Sequence, residues 1–130
     1  MTPQYIKINE DGDKTYWKNK EMTILHREDG PAIEWVDGYK VWYLNGQPHR
    51  EDGPAIEHGN GAKNWYKHGK RHREDGPAYE GVDGTKFWYL YGIPLCEQEF
   101  LKQTAKEIIL TMDEIAAKFG IEVSKLKISK

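Results

Sequence analysis

The heptapeptide HREDGPA at His26–Ala32 is repeated without change at His49–Ala55 and His72–Ala78, so the chain has a period of 23 residues. A Trp-Tyr pair keeps the same period, at positions 42–43, 65–66 and 88–89. A unit this short is one supersecondary structure that cannot bury its own apolar side chains. The sequence therefore predicts a stack of repeats in which each unit packs against its neighbours.

Each repeat contains two dipeptides that are typical of tight hairpin turns. Gly and Asn adopt at low cost the positive φ that two-residue hairpin turns require, and the segments between them are rich in the residues of short strands. We expect a mainly β fold, an antiparallel meander of 23-residue β-hairpin repeats over residues 1–95, with a short α-helical C-terminal tail over residues 96–130 packed on the sheet. The dipeptides are Asp37-Gly38, Asn60-Gly61 and Asp83-Gly84, then Asn45-Gly46, His68-Gly69 and Tyr91-Gly92.

The first turn also predicts which side chains share a face of the sheet. If Asp37-Gly38 is the centre of a two-residue turn, Ile33 faces Trp42 across the hairpin, and side chains alternate between the faces from there. We expect the face with Ile and Trp to be the core, and the face with Ala, Tyr and Glu to be half exposed. Later repeats then pair Ile56 with Trp65 and Tyr79 with Trp88.

The Asp-Gly-Pro step of each heptapeptide predicts a bulge or bend, because Pro lacks the amide that a strand interior needs. We expect positive φ at Gly53 and Gly76. The preceding His-Arg pair is expected to lie across the neighbouring strand.

After Gly92 the apolar spacing changes to a helical one. Leu101, Ala105 and Ile108 predict a helix over roughly Glu97–Leu110. A capping box at residues 111–114 predicts a second, shorter helix, roughly Met112–Lys118.

The composition favours a cytoplasmic protein. The net charge is −2 and Cys96 is the single cysteine, which excludes an intrachain disulfide and suits a reducing compartment. The sequence shows no signal peptide and no apolar segment of about 20 residues, so we expect no membrane insertion. Because the balance of charge is acidic, nucleic acid is an unlikely partner.

The histidines of the heptapeptides, His26, His49 and His72, suggest a metal site, but their spacing argues against one. Residues one repeat apart lie about two strands, or ~9–10 Å, from each other, whereas zinc ligands lie ~2 Å from the ion. We predict no metal site. The sequence also lacks the familiar catalytic and phosphate-binding motifs, so we predict no catalytic residue, no cofactor and no enzymatic activity.

The repeat resembles the MORN repeat, in its divergent MORN-variant group. The resemblance extends over about Asp11–Gly92, and HREDGPA stands where MORN units usually have a Gly-x-Gly pair. The chain is also similar to small HRxDGPA-repeat proteins of tailed bacteriophages. The resemblance implies a scaffold that binds proteins or sometimes lipids, and some bacterial variants resemble antitoxins. The matching residues are Trp42, Gly46, Asp52-Gly53 and Asp83-Gly84 with their counterparts one repeat away.

We therefore expect a non-enzymatic binding module, and the phage resemblance implies that it inhibits a host or anti-phage defence protein in the host cytoplasm. Tyrosine provides a large contact area at low entropic cost. One alternative is an antitoxin that neutralises a toxin. Another is a sequestering binder of a nucleotide signal or single-stranded nucleic acid, using Lys and Trp side chains as a stacking platform. A homo-oligomer is a further alternative. The predicted partner-binding residues are Tyr43, Tyr66, Tyr89, Arg50, Arg73 and Glu57.

Overall fold

The computed structural model describes residues 4–105, which form thirteen short antiparallel strands and a helix over residues 97–105. The mainly β meander expected from the sequence is confirmed. The chain divides into two compact units, Met1–Leu95 and Cys96–Lys130. The strands are β1 (Tyr5–Ile8), β2 (Lys14–Trp17), β3 (Ile33–Glu34), β4 (Lys40–Val41), β5 (Tyr43–Leu44), β6 (Gln47–Pro48), β7 (Ile56–Glu57), β8 (Lys63–Asn64), β9 (Tyr66–Lys67), β10 (Lys70–Arg71), β11 (Tyr79–Glu80), β12 (Lys86–Leu90) and β13 (Ile93–Leu95).

Nine of the strands form one sheet in the order β1-β2-β3-β4-β7-β8-β11-β12-β13. The pairs β5–β6 and β9–β10 are separate two-stranded hairpins. Each full repeat therefore contributes two strands to the main sheet and one hairpin beside it. Strand β12 is longer than the others and continues from the main sheet into the last hairpin with β13.

The first turn of each repeat is one residue longer than the sequence suggested. In the hairpin β3–β4, Trp35 donates its amide to Tyr39 at 2.9 Å and Gly38 has a φ of 98°. The loop thus has three residues, 36–38, the last being a glycine of positive φ. Ile33 is opposite Val41 rather than Trp42. The predicted register is wrong by one residue, which moves the side chains of a strand to the other face.

The corrected register places oppositely charged residues in a continuous row across seven strands. Each Glu is directly opposite a Lys on both neighbouring strands, and such cross-strand pairs each contribute ~0.2–1 kcal/mol. The glutamates therefore share a face with lysines and not with the sequence-predicted tyrosine row. In order across the sheet, the charged row is Lys14, Glu34, Lys40, Glu57, Lys63, Glu80 and Lys86, and the adjacent row is Thr15, Ile33, Val41, Ile56, Asn64, Tyr79 and Phe87.

The buried residues are not those predicted. Ala32, Ala55 and Ala78 have no exposed surface, whereas the Trp side chains at positions 42, 65 and 88 are only half-buried. The expectation of an Ile/Trp core and a half-exposed Ala face is therefore wrong. The backbone explains the alanines, since the carbonyl of Ala55 accepts the amide of Trp42 at 2.7 Å and the same bond recurs one repeat later.

The second turn of each repeat is the two-residue turn that the sequence predicts. Asn45 and Gly46 have φ values of 51° and 79°, and Leu44 pairs with Gln47 across the turn. Positive φ at both central residues is the mark of a type I′ turn, whose twist matches that of the flanking strands. His68-Gly69 and Tyr91-Gly92 repeat this geometry.

The described helix begins directly after Cys96, as predicted. The amide of Phe100 donates to the carbonyl of Cys96 at 3.0 Å in its first turn. The predicted end of this helix at Leu110 and the second helix, Met112–Lys118, lie outside the described residues. Within residues 4–105, no helix is both long enough and apolar enough to cross a membrane.

We predict that Asn64→Val stabilises the protein by about 1 kcal/mol or more, because a buried polar atom without a partner costs ~1–3 kcal/mol. Asn64 is 5% exposed, and its Oδ1 accepts no hydrogen bond from the described residues. Val41 occupies the same position one repeat earlier and is buried. Urea unfolding measures the effect.

The reverse change, Val41→Asn, is the matched control and should destabilise the protein. If Asn64→Val lowers the free energy of unfolding, the Asn64 amide contributes a favourable contact that the structure does not show.

Candidate functional site: the heptapeptide loops and the tyrosine row

The arginine of each heptapeptide lies flat on an aromatic ring of the neighbouring strand. The guanidinium carbon of Arg50 is 3.8 Å from the ring centre of Trp42, and that of Arg73 is 3.8 Å from Trp65. Arg27 is placed in the same way, 3.9 Å from the ring of Tyr16. A cation over an aromatic face contributes ~0.5–2 kcal/mol. In this way the arginines cover one face of the rings of Trp42 and Trp65.

The same arginines close the heptapeptide loops by hydrogen bonds. Arg73 donates from Nε to Asp75 at 2.8 Å and from Nη1 to the carbonyl of Pro77 and to Glu80, at 3.1 and 3.0 Å. Arg27 makes the equivalent three bonds, and Arg50 makes the equivalent bonds to Asp52 and Pro54 with Glu57 at 3.5 Å. Each guanidinium therefore has two carboxylates from its own repeat. Its positive charge is neutralised inside the fold.

The glycine of the heptapeptide is required for space. Neither Gly53 nor Gly76 has a positive φ, so that expectation is wrong. A Cβ atom added at Gly53 would lie 3.0 Å from the guanidinium carbon of Arg50. The same distance separates Gly76 from Arg73. Glycine leaves free the space that the guanidinium occupies beside it.

The histidine of each heptapeptide holds the second turn of the next repeat. Nδ1 of His49 accepts the amide of His68 at 2.9 Å, and Nδ1 of His72 accepts that of Tyr91 at the same distance. His26 and Asn45 are joined in the same way. We call this bond the histidine–turn contact. It links residues 19 apart in sequence, and all three imidazoles are buried.

One group of side chains has the composition of a metal site. Ligand-type atoms of His49, Glu51 and His68 lie within 4.8 Å of one another. Because Nδ1 of His49 accepts an amide hydrogen, Nε2 carries the ring proton and donates it to Glu51 at 2.8 Å. Neither nitrogen of His49 then has a free lone pair for a metal. Metal binding here would have to break a histidine–turn contact.

Open clefts lie between consecutive heptapeptide loops. The first has a volume of about 680 Å³ and the second about 560 Å³, with Leu44 in the lining of the first replaced by Lys67 in the second. Asp29 and Asp75 are at the rims, and the hydrogen bonds from Arg27 and Arg73 hold the pKa of these carboxyls below the usual range. The clefts thus present ionised carboxylates that are already paired with arginines.

The predicted tyrosine row comprises Tyr43, Tyr66 and Tyr89, all half-buried. Each occupies the same place in its repeat, and its carbonyl accepts the amide of a heptapeptide arginine. Burial raises the pKa of Tyr39, and the nearby Tyr43 and Tyr66 raise it further. Tyr39 therefore lies close to the first two members of the row.

Arg71 is a residue of this row that the sequence analysis missed. It donates from Nε to the hydroxyl of Tyr66 at 3.1 Å and from Nη1 to the hydroxyl of Tyr89 at 3.4 Å. Arg71 is directly opposite Tyr66, in the position that Pro48 and Pro94 occupy opposite the tyrosines of their repeats. This break in the repeat was the signal that could have identified it.

The predicted partner-binding residues do not form one surface. Arg50 contacts both Trp42 and Glu57, so these three residues lie on one side of the repeat. Trp42 and Leu44 line the first cleft and Tyr43 between them does not, so Tyr43 lies on the other side. Arg73 likewise lies on Trp65 and away from Tyr66. The tyrosines, now with Arg71, are thus separated from Arg50, Arg73 and Glu57.

No protein family, curated protein or solved structure significantly similar to this chain was found.

We predict that Gly53→Ala destabilises the protein by roughly 1 kcal/mol, because the new methyl group displaces Arg50 from Trp42. In an Arg50→Ala background the same change should be neutral or stabilising, since alanine restricts the unfolded chain where φ is not positive. A double-mutant cycle by urea unfolding measures the coupling. Equal costs in both backgrounds would mean that Gly53 is required for a reason other than Arg50.

We predict that His72→Leu selectively abolishes protection of the Tyr91 amide from hydrogen exchange, because leucine has no acceptor for it. Asn45 and His68 serve as internal controls, since their amides bond to other histidines. His72→Asn, whose Oδ1 can replace Nδ1 as acceptor, should retain part of the protection. Loss of protection at all three amides in His72→Leu would instead indicate general unfolding.

Proposed function

We propose that this chain is a non-enzymatic module that binds a protein partner through the tyrosine row. The observation that carries the proposal is the contrast between the two sides of the repeats. On the heptapeptide side, each arginine is neutralised by carboxylates of its own repeat. On the tyrosine side, Arg71 has two hydroxyl groups as partners and takes part in none of the ion pairs formed within residues 4–105.

The tyrosine row has the composition of a protein interface. Tyrosine, tryptophan and arginine are the residues most enriched among those that dominate binding energy. Tyrosines placed once per repeat lie about two strands, or ~9–10 Å, apart. A row of this kind suits an extended protein surface more than a single small ligand.

The alternative of base stacking on the Trp side chains is less favoured by the geometry. Arg50 and Arg73 already cover one face of the rings of Trp42 and Trp65. A nucleotide base would have to displace an arginine that also holds a heptapeptide loop. The ionised carboxylates at the cleft rims would also repel phosphate groups.

The resemblance to bacteriophage repeat proteins supports a host or defence protein as the partner. A module without catalytic groups would inhibit such a protein sterically, by covering a site or preventing assembly. An antitoxin would act in the same way on a toxin.

We predict that Tyr66→Ala weakens partner binding by ~1–3 kcal/mol, as expected for a central aromatic contact. The partner is captured from a bacterial host lysate on the tag-free, immobilised chain, identified by mass spectrometry, and its affinity measured with the purified proteins. Tyr43→Ala and Tyr89→Ala should have smaller effects of the same sign.

The matched control is the combined variant Asp29→Asn, Asp52→Asn and Asp75→Asn. It removes the exposed charges of the clefts, while each asparagine oxygen can still accept from its arginine. If the triple variant no longer binds the partner while Tyr66→Ala binds it with full affinity, the binding site is in the clefts and not at the tyrosine row. A nucleotide that copurifies stoichiometrically in native mass spectrometry would favour the nucleotide alternative.

A further inference from the structure

We infer that Arg71, together with the hydroxyls of Tyr66 and Tyr89, forms a site for a carboxylate on an acidic segment of the protein partner. The inference rests on the proposed function and specifies the chemistry that the tyrosine row recognises. It starts from Arg71, an arginine outside the heptapeptides whose side chain donates to two neutral hydroxyl groups.

The hydrogen-bond donors of the site are the guanidinium of Arg71 and the hydroxyls of Tyr66 and Tyr89. Its guanidinium carbon lies 5.8 Å from the ring centre of Tyr66 and 5.3 Å from that of Tyr89, so it sits between the two rings. Two of its N–H groups are used by the tyrosine oxygens, which leaves three of the five for another acceptor. Each hydroxyl accepts from Arg71 and so keeps its own hydrogen free to donate.

The heptapeptide arginines show that a guanidinium group in this fold pairs with carboxylates. Arg27, Arg50 and Arg73 each have two carboxylates within 3.5 Å. Among the described residues, no carboxylate occupies the corresponding place at Arg71. Lys67, in the same hairpin as Arg71, lies 3.5 Å from Glu51.

A carboxylate fits this site better than a phosphate. The planar guanidinium fork can bind either anion, but its single positive charge balances the single negative charge of a carboxylate and only part of the charge of a phosphate. The partner is therefore a protein segment with an exposed Asp or Glu.

The fold does not require an arginine at this position. Pro48 and Pro94 occupy it in the flanking repeats and pair with their tyrosines in the same register. The carbonyl of Arg71 accepts the Gly92 amide at 2.8 Å, as the carbonyl of Pro48 accepts the Gly69 amide at 2.9 Å. Arg71→Gln and Arg71→Pro should therefore both fold, and both remove the charge.

The test is an NMR titration of the tag-free chain with a decaglutamate peptide, in which the Nε–H resonances of the arginines are followed. We expect a saturable shift at Arg71, with the resonances of Arg27, Arg50 and Arg73 unmoved. Arg71→Gln and Arg71→Pro should bind at least tenfold more weakly, or about 1.4 kcal/mol. Tyr66→Phe and Tyr89→Phe, which remove one hydroxyl each, should weaken binding severalfold.

A decaglutamine peptide is the control for charge and inorganic phosphate is the control for the anion. Equal shifts with decaglutamine, tighter binding of phosphate, or equal movement of all four arginines would overturn the carboxylate assignment. So would unchanged affinity in Arg71→Gln. If the captured partner fails to bind Tyr66→Ala but still binds Tyr66→Phe and Arg71→Gln, that result would support the binding module and contradict the carboxylate site.

Discussion

A buried imidazole that accepts a turn amide joins each repeat to the next. The three histidine–turn contacts have the same length and connect the same positions. Without them, a turn amide would be left without an acceptor beside a buried side chain, which costs ~1–3 kcal/mol. The second turn can therefore keep its strained positive φ at His68 and Tyr91, residues that would rarely adopt it in isolation. This bond therefore fixes the second turn of each repeat against the heptapeptide before it.

The remaining residues of the heptapeptide follow from the arginine beside that histidine. Arg50 lies on an aromatic ring, bonds to the carbonyl of Pro54 and passes over the Cα of Gly53. Its aspartate and glutamate neutralise it, so that a guanidinium can be half-buried without a net charge. A sequence that looks like a catalytic or metal-binding motif thus satisfies its own polar groups. This explains its exact repetition.

The period, the class of fold and the second turn could be read from the sequence because each depends on local residues. The register could not, since Asp37-Gly38 is compatible with a two-residue turn and with a three-residue loop that ends in glycine. This difference of one residue moved the side chains of each strand to the opposite face of the sheet. The predicted core and the predicted neighbours of Tyr66 were therefore wrong. The role of Gly53 was also missed, because its constraint comes from a side chain and not from its own φ.

The middle repeat has polar residues at two positions where its neighbours have apolar ones. Asn64 stands where the first repeat has Val41, and Arg71 where it has Pro48. Stacking cannot explain these changes, since the flanking repeats stack with apolar residues at the same places. Within residues 4–105, the buried Oδ1 of Asn64 has no hydrogen-bond partner, which opposes stability, and Arg71 takes part in no ion pair that would add to it. A residue that is present although it lowers the stability of the fold is better explained by a role in binding than by the stacking of the repeats.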